Sequence, residues 1–258
     1  MPRWFQAMSL GLALAALSLL TACSSSGQAK VRFVHAIQDA GALDIDVYGT
    51  NDSNGTVEFS DISFLAVQPT QPGYTTLLSG SNAIEGFLTG TTTVGFIRTD
   101  VNWSGGIDYT AVATGFSKTG TSPGSNVLII SVPDNNTPPA SGDVEFRVIH
   151  ASPSGPSGVN VYIESNPSTG PTGTPAISNL IYTQASGYLS VAYNPKNVTP
   201  APGFTLYVTT TAGAAIFSEA ISPAAGAIRT LVLTDIQNTK LQGVSAMQPS
   251  FLELPDLN

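Results

Sequence analysis

The sequence predicts an all-β protein built from two tandem β-sandwich units. Three observations carry this. The stretch Val31-Arg32-Phe33-Val34-His35-Ala36 is echoed by Phe146-Arg147-Val148-Ile149-His150-Ala151. Each copy is followed by an alternating strand that ends in Tyr, at Tyr48 and at Tyr162. The rest of the chain breaks into short β-prone runs separated by turn residues, with no convincing amphipathic helix, which is the pattern of sandwiches and barrels. The offset between the copies is 115 residues at Val31/Phe146 and 114 at Tyr48/Tyr162, so one β-unit is written twice.

Composition narrows the function classes. Charged residues make up 10% of the chain, against about 25% in ordinary soluble proteins. The 25 Gly and 18 Pro follow no period, so they mark turns, not a collagen-like repeat. The formal net charge is −8 with no Lys/Arg run, which leaves no electrostatic footprint for nucleic acid. The single cysteine, Cys23, excludes an internal disulfide, so stability must come from packed cores.

Residues 1–22 read as a secretory signal: Arg3, an apolar run from Met8 to Leu20, then small residues. The run is shorter than the roughly 20 apolar residues of a comfortable span. It ends in Leu20-Thr21-Ala22-Cys23, which resembles a bacterial lipobox. That resemblance implies that Cys23 is diacylated, with palmitate-type chains, and becomes the first residue of a lipoprotein held on the membrane. Two or more acyl chains are what stable anchoring requires. Ser24 stands where an Asp would resemble an inner-membrane retention signal, so an outer-membrane location is expected if the cell has that membrane. Residues 23–28 are the lipidated Cys and a short tether, and six residues span about 20 Å at most.

The first repeat is placed at 29–133. Val31, Phe33 and His35 share one face of its opening strand, and Arg32, Val34 and Ala36 the other. Ile45 and Val47 then point one way, and Asp44, Asp46 and Tyr48 the other. Further strands are expected at Thr56–Phe59, Ser63–Val67, Tyr74–Leu78, Ala83–Leu88, Thr92–Arg98, Tyr109–Ala113 and Val127–Val132. Residues 134–142, rich in Pro and small polar residues, read as a linker. The second repeat, 143–258, follows the first in order. Ser178-Asn179-Leu180 matches Ser60-Asp61-Ile62, Gly187-Tyr188 matches Gly73-Tyr74, and Gly203-Phe204 matches Gly86-Phe87. Arg229–Val232 matches Tyr109–Val112, and Leu252–Asp256 matches Ile130–Asp134, so Phe251–Leu254 is expected to be a strand. On this alignment Asn160 takes the place of Asp46.

Arg147–Pro153 followed by Val159-Asn160-Val161-Tyr162 resembles a bacterial extracellular repeat family known only as a domain of unknown function. Its signature is Arg-Val-Val-His-Ala-Ser-Pro-Asp-Ala-Pro, then Val-Asp-Val-Tyr. The second repeat is the closer match. The first has Ile37-Gln38 where Ser-Pro would stand, while keeping Asp39 and Asp46. The resemblance implies two tandem immunoglobulin-like or transthyretin-like β-sandwich domains in secreted or lipid-anchored proteins, and no particular activity.

No constellation for chemistry survives inspection. Gly120-Thr121-Ser122-Pro123-Gly124 fits a nucleophile-elbow pattern. That elbow needs an oxyanion-hole N–H from the residue after the serine, and Pro123 has none. His35 and His150 occupy equivalent places in different repeats without a second His or a Cys beside them, so they read as structural residues tying strand ends to loops, not as zinc ligands. The acids from Asp39 to Asp61 lack an Asp-x-Asp-x-Asp-Gly loop, and Asp46 and its counterpart Asn160 read as structural too. No metal and no cofactor is expected. Trp103, the lone tryptophan after the signal, is a candidate ligand platform, as is Tyr188. The expected function is therefore a non-enzymatic, lipid-anchored envelope protein with an envelope protein or glycan as partner. The alternative is a carbohydrate- or small-ligand-binding lipoprotein that uses a loop aromatic patch at Trp103 or Tyr188.

Overall fold

The computed structural model describes residues 27–49, 56–91, 97–117, 127–165, 169–193, 203–237 and 247–256. Among these the chain is all-β, with seventeen strands and no helix. Strands β1 (Gln28–His35), β4 (Val67–Gln68), β5 (Thr75–Leu78), β8 (Asp108–Thr114) and β9 (Leu128–Pro133) form one sheet. β4 and β5 both pair with one side of β1, β8 pairs with its other side, and β9 closes the sheet. Strands β2 (Leu43–Gly49), β3 (Thr56–Ile62), β6 (Gly80–Leu88) and β7 (Ile97–Trp103) form a second sheet in the order β3-β2-β6-β7. The pairing of β1 with β8 is parallel, which needs a long crossover; here the second sheet is that crossover.

The same plan recurs downstream. β10 (Asp143–His150), β13 (Leu189–Ala192), β16 (Ile228–Gln237) and β17 (Met247–Pro255) form the sheet β13-β10-β16-β17, again with a parallel centre, β10 with β16. β11 (Gly158–Ser165), β12 (Ile177–Ile181), β14 (Phe204–Thr210) and β15 (Ala215–Ile221) form its companion, β12-β11-β14-β15. Arg32 lies opposite Thr110, and Arg147 opposite Thr230. Val132 lies opposite Thr110, and Leu254 opposite Thr230. These registers agree with the sequence matches at the opening strand, at Tyr109/Arg229 and at Ile130/Leu252, and β17 is the expected C-terminal strand.

Alternation on β1 explains how the layers stack. Val31 and Phe33 face the second sheet and join Leu43, Ile45, Phe59 and Ile84 in one core. Phe146 and Val148 do the same in the second repeat with Val159, Val161, Phe204 and Leu206. The opposite faces of β1 and β10 are not left to water. Val34, Ala36, Val112 and Ile130 pack against Ile149, Ala151, Val232 and Leu254 in a third core that both repeats share. The four sheets therefore stack as outer, inner, inner, outer. A strand apolar on both faces belongs at such a centre, and β1 and β10 are buried without a break over their last five residues. Burying a side chain such as Val34, Ile149, Val232 or Leu254 is worth about 1.5–3 kcal/mol relative to exposing it, so this shared core holds the two repeats together as one packed body.

Two sequence expectations change here. Asp134 stands first in the segment read as a linker, yet its carboxylate is 0% exposed. It follows directly on Pro133, the last residue of β9, and β9 lies in an inner sheet whose outer face is covered by the other repeat. Asn136 is tied in as well, donating to Asp108 Oδ2 at 2.7 Å. Second, the alignment at the second strand slips by two residues. Leu43 pairs with Ile62 as Val159 pairs with Leu180, so Asn160 corresponds to Asp44, not to Asp46. A two-residue slip keeps every side chain on its face, and for that reason hydrophobic alternation could not reveal it. The match of Gly86-Phe87 to Gly203-Phe204 fails likewise, because Phe204 lies opposite Ser165 and Phe87 opposite Asp44.

Candidate functional site

The most polar part of the interior lies where the two inner sheets meet. Arg32, which shares the outward face of β1 with Val34, reaches across to the end of the second repeat. Its Nη1 donates to Pro255 O at 3.0 Å, and its Nη2 pairs with the Asp256 carboxylate. Arg147 does the reciprocal thing, donating from Nη1 to Pro133 O at 2.7 Å and from Nη2 to Asp134 Oδ1 at 2.6 Å. Thr110 donates to Asp134, and Thr230 to Asp256. Tyr74 OH donates to Asp134 at 2.7 Å, and Tyr188 OH to Asp256 at 3.2 Å. Each guanidinium lies over the tyrosine ring of its own repeat, 5.4 Å for Arg32 on Tyr74 and 4.7 Å for Arg147 on Tyr188. The constellation is thus approximately twofold, with two cations and two anions that cancel. Arg32 is further bound to Thr110 through Nε at 2.8 Å, whereas Arg147 Nε has no partner. Burial by itself weakens the Arg32 cation, but Asp134 and Asp256 outweigh it and hold the group above its ordinary value. Burial pushes the Tyr188 phenol up to about 12, with Arg147 pulling the other way.

The two histidines bracket this interface. Both are 0% exposed. His35 Nε2 meets Gly41 O at 3.0 Å, while its Nδ1 accepts the Ile37 N–H at 3.1 Å. His150 repeats this with Pro156 O at 3.0 Å and the Ser152 N–H at 3.4 Å. A carbonyl at one ring nitrogen and an N–H at the other fit a neutral imidazole protonated on Nε2. Burial lowers the pKa of both rings, the carbonyl contacts opposing it. No group of three His, Cys, Asp or Glu among the described residues is arranged to hold a metal.

The outer sheets carry a second matched feature. Asp44 Oδ1 accepts the N–H of Asp61 at 2.8 Å, and Asn160 Oδ1 accepts that of Asn179 at 2.8 Å. Asp61 and Asn179 both sit in the left-handed region, φ 51° and 48°, which Asp and Asn tolerate better than other side chains. Asp46, by contrast, has an unpartnered Oδ1, and burial followed by Glu85, Asp44 and Glu58 raises its pKa.

The aromatic platform is not built at the proposed residues. Trp103 is 1% exposed, packs beside Tyr109 and donates from Nε1 to Ser131 Oγ at 3.0 Å. A ring used in this way offers no face to a ligand. Tyr188 is half-buried, with its ring against Arg147 and its hydroxyl on Asp256. Next to Trp103 there is instead a cleft of about 270 Å³ between β7 and β9, lined by residues 99–102, Tyr109, Ile129 and Ser131. Cys23 and the 120–124 serine loop lie outside the described residues.

Residues 29–162, just over half of the chain, match the family model described as Domain of unknown function (DUF4397). The chain belongs to this family. The DUF4397 match runs from β1 into β11, so it contains both Arg-and-His strands, Arg32/His35 and Arg147/His150. No curated protein is similar to the chain. Among solved structures, CBMbc of Eubacterium rectale Amy13K, a family CBM26 module in complex with maltoheptaose, aligns at 14% identity and a TM-score of 0.25, covering 86% of this chain and 97% of that one. The fimbrial anchor protein Mfa2 of Porphyromonas gingivalis aligns at 11% identity and a TM-score of 0.27, covering 88% and 99%. Likenesses this weak carry no argument about this DUF4397 protein.

Proposed function

We propose that the protein is a non-enzymatic, lipid-anchored module of the bacterial envelope that binds or spaces other envelope components. The observation that carries this is where its reactive side chains go. His35, His150, Arg32, Arg147, Asp134 and Asp256 all lie in the interior, bonded to backbone or to one another. Catalysis needs a nucleophile and a base that reach a substrate, and these groups serve cohesion instead. Each pair of sheets is read as a transthyretin-like sandwich in preference to an immunoglobulin-like one. An immunoglobulin constant-type sheet places its first and second strands together, whereas here β1 and β2 lie in different sheets and β1 pairs in parallel with β8. The anchor rests on Leu20-Thr21-Ala22-Cys23, and the outer-membrane location on Ser24.

Two experiments test the reading. A peptidoglycan and polysaccharide hydrolysis panel on the soluble repeats is expected to show no turnover; turnover that is lost in Asp44→Asn/Asp46→Asn with the fold intact overturns it. Cys23→Ser is expected to leave an unprocessed precursor without lipid. A wild-type N-terminus carrying no acyl mass would remove the anchor. The alternative, a carbohydrate- or small-ligand-binding lipoprotein, is favoured by the polar cleft beside Trp103 and no longer by an exposed aromatic patch.

A further inference from the structure

The two repeats begin with the same backbone bonds and differ in the side chains around them. In the first, Gly27 O accepts the Ser79 N–H, Gln28 O accepts the Gly106 N–H, and Ile107 O accepts the Lys30 N–H. In the second, Gly142 O accepts the Tyr193 N–H, Asp143 O the Gly226 N–H, and Ala227 O the Glu145 N–H. Gln28 pairs with Leu78 as Asp143 pairs with Ala192. The backbone thus matches Leu78 with Ala192, Ile107 with Ala227, Gln28 with Asp143 and Lys30 with Glu145. Where the second repeat has alanines and acids, the first has large apolar residues, an amide and a cation. Leu78 is 64% exposed and Ile107 39%, whereas Ala227 is 4% exposed. Folding does not call for the larger groups, because the second repeat closes the same positions with Ala.

These residues flank the start of β1, where the chain enters the body. Gly27 is held there. Its carbonyl accepts from Ser79 at 2.9 Å, and Gly105 comes so near that a Cβ on Gly27 would lie 3.0 Å from the Gly105 Cα. Cys23 stands four residues upstream of Gly27, and four residues span about 14 Å at most. With acyl chains on Cys23, this end of the first repeat is held within that distance of the lipid headgroups. Leu88 and Ile181, also large and exposed, lie at the opposite end. Leu88 is opposite Leu43, which opens β2 after β1 has ended, and Ile181 is opposite Gly158, which opens β11 after β10.

We infer that Leu78 and Ile107 rest in the phospholipid headgroup region of the membrane that carries the anchor. Apolar side chains at such a surface gain by leaving water. Lys30 lies beside them and suits lipid phosphates, whereas Asp143 and Glu145 at the matching places of the second repeat are repelled by them. Asp108, the register partner of Lys30 on β8, already accepts from Asn136. The tether keeps the contact at high effective concentration, so a small apolar pair is enough to orient the body without having to anchor it. The far ends of β1 and β10, with His35 and His150, then point away from the membrane. The contact rests on the lipid-anchor reading of Cys23 and names the surface that the anchored body meets.

The test supplies the tether chemically. Residues 23–258 are coupled through Cys23, the one cysteine of the chain, to a maleimide lipid in nanodiscs of phosphatidylethanolamine and phosphatidylglycerol. Nuclear Overhauser transfer from lipid protons is expected at the methyl groups of Leu78 and Ile107 and not at those of Leu88 and Ile181. The second repeat is expected to tumble with the disc, read from the transverse relaxation of its amides. Leu78→Ala/Ile107→Ala, which copies Ala192 and Ala227, is expected to keep its melting temperature and to shift the docked-to-free equilibrium about tenfold toward the free body. Transfer absent at Leu78 and Ile107, or equal at all four residues, overturns the proposal. So does a folded double variant that stays docked, or transfer to Leu78 from a second, differently labelled copy of the chain in place of lipid. The wild-type transfer needs no variant, so it decides the matter even if the double substitution does not fold. A natural N-terminus without acyl mass would remove the anchor and leave this measurement standing, whereas loss of selective transfer removes the contact and leaves the anchor.

Discussion

Asp134→Ala is the most informative single perturbation. The Asp134 carboxylate is fully buried and accepts from Arg147 at 2.6 Å, Tyr74 at 2.7 Å and Thr110 at 2.8 Å, with Arg32 at 3.4 Å. Removing it leaves two buried guanidinium groups facing one anion, Asp256. Breaking one side of a buried ion pair costs about 3–5 kcal/mol, and for a body of this size each kcal/mol lowers the melting temperature by about 2–4 °C. The expected loss is therefore about 6–20 °C, read by circular dichroism melts and urea unfolding as one transition for both repeats. Asp134→Leu/Arg147→Met removes one cation and one anion together. That double variant is expected to lie within about 1 kcal/mol of wild type, because losing a pair also removes its desolvation cost. The coupling in the cycle closed by the single variants Asp134→Leu and Arg147→Met should then exceed about 2 kcal/mol, far beyond the 0.3–0.5 kcal/mol typical of independent sites. A cost below about 0.5 kcal/mol for Asp134→Ala, or singles that simply add, would refute a dry, mutually neutralising cluster.

Three further outcomes follow from the geometry. Both histidines have lowered pKa values in the fold, so the unfolded chain takes up protons first: their stabilisation is complete above the ordinary value of 6.5 and is lost as pH falls through the folded values. Stability should decline below about pH 6.5, and His35→Gln/His150→Gln should flatten that slope; an unchanged slope would exclude the rings as its cause. Asp44→Ala and Asn160→Ala each remove an acceptor from a backbone N–H and should cost about 1 kcal/mol, while Asp44→Asn, which copies the second repeat, should be nearly neutral in the same urea assay. Trp103 should fluoresce at short wavelength with little quenching by iodide, and Trp103→Ala should cost about 3–5 kcal/mol; an emission typical of exposed indole would restore it as a ligand platform.

Particular residues mark how far the sequence reaches. The paired strands at Val31 and Phe146, and the paired C-terminal matches at Ile130 and Leu252, were legible because burial enforces apolar alternation, and alternation is a property of neighbouring residues. The same alternation is blind to a shift of two, so it matched Asn160 to Asp46, whereas the residues that accept the N–H of the left-handed Asp61 on β3 and Asn179 on β12 are Asp44 and Asn160. The roll of Trp103 was equally illegible. A lone tryptophan near Gly and Asn looks alike in sequence whether its ring faces water or Ser131.

By itself the sequence determined most of the strands, though not the turn that stands where a strand was expected at Ser63–Val67, together with their twofold repetition, the family, and the shortage of side chains suited to chemistry, since each of these follows from residue type and local spacing. Tertiary structure alone decided what the outward face of β1 is for. Arg32 and Val34 look like an ordinary solvent face until the second repeat covers them. Asp134 and Asp256 lie 102 and 224 residues from Arg32, and no local pattern can signal a pairing that exists only once two sheets have stacked. The tie between β15 and β17 is of the same kind, because Glu219 and Phe251 become partners only when strands from two different sheets are brought side by side.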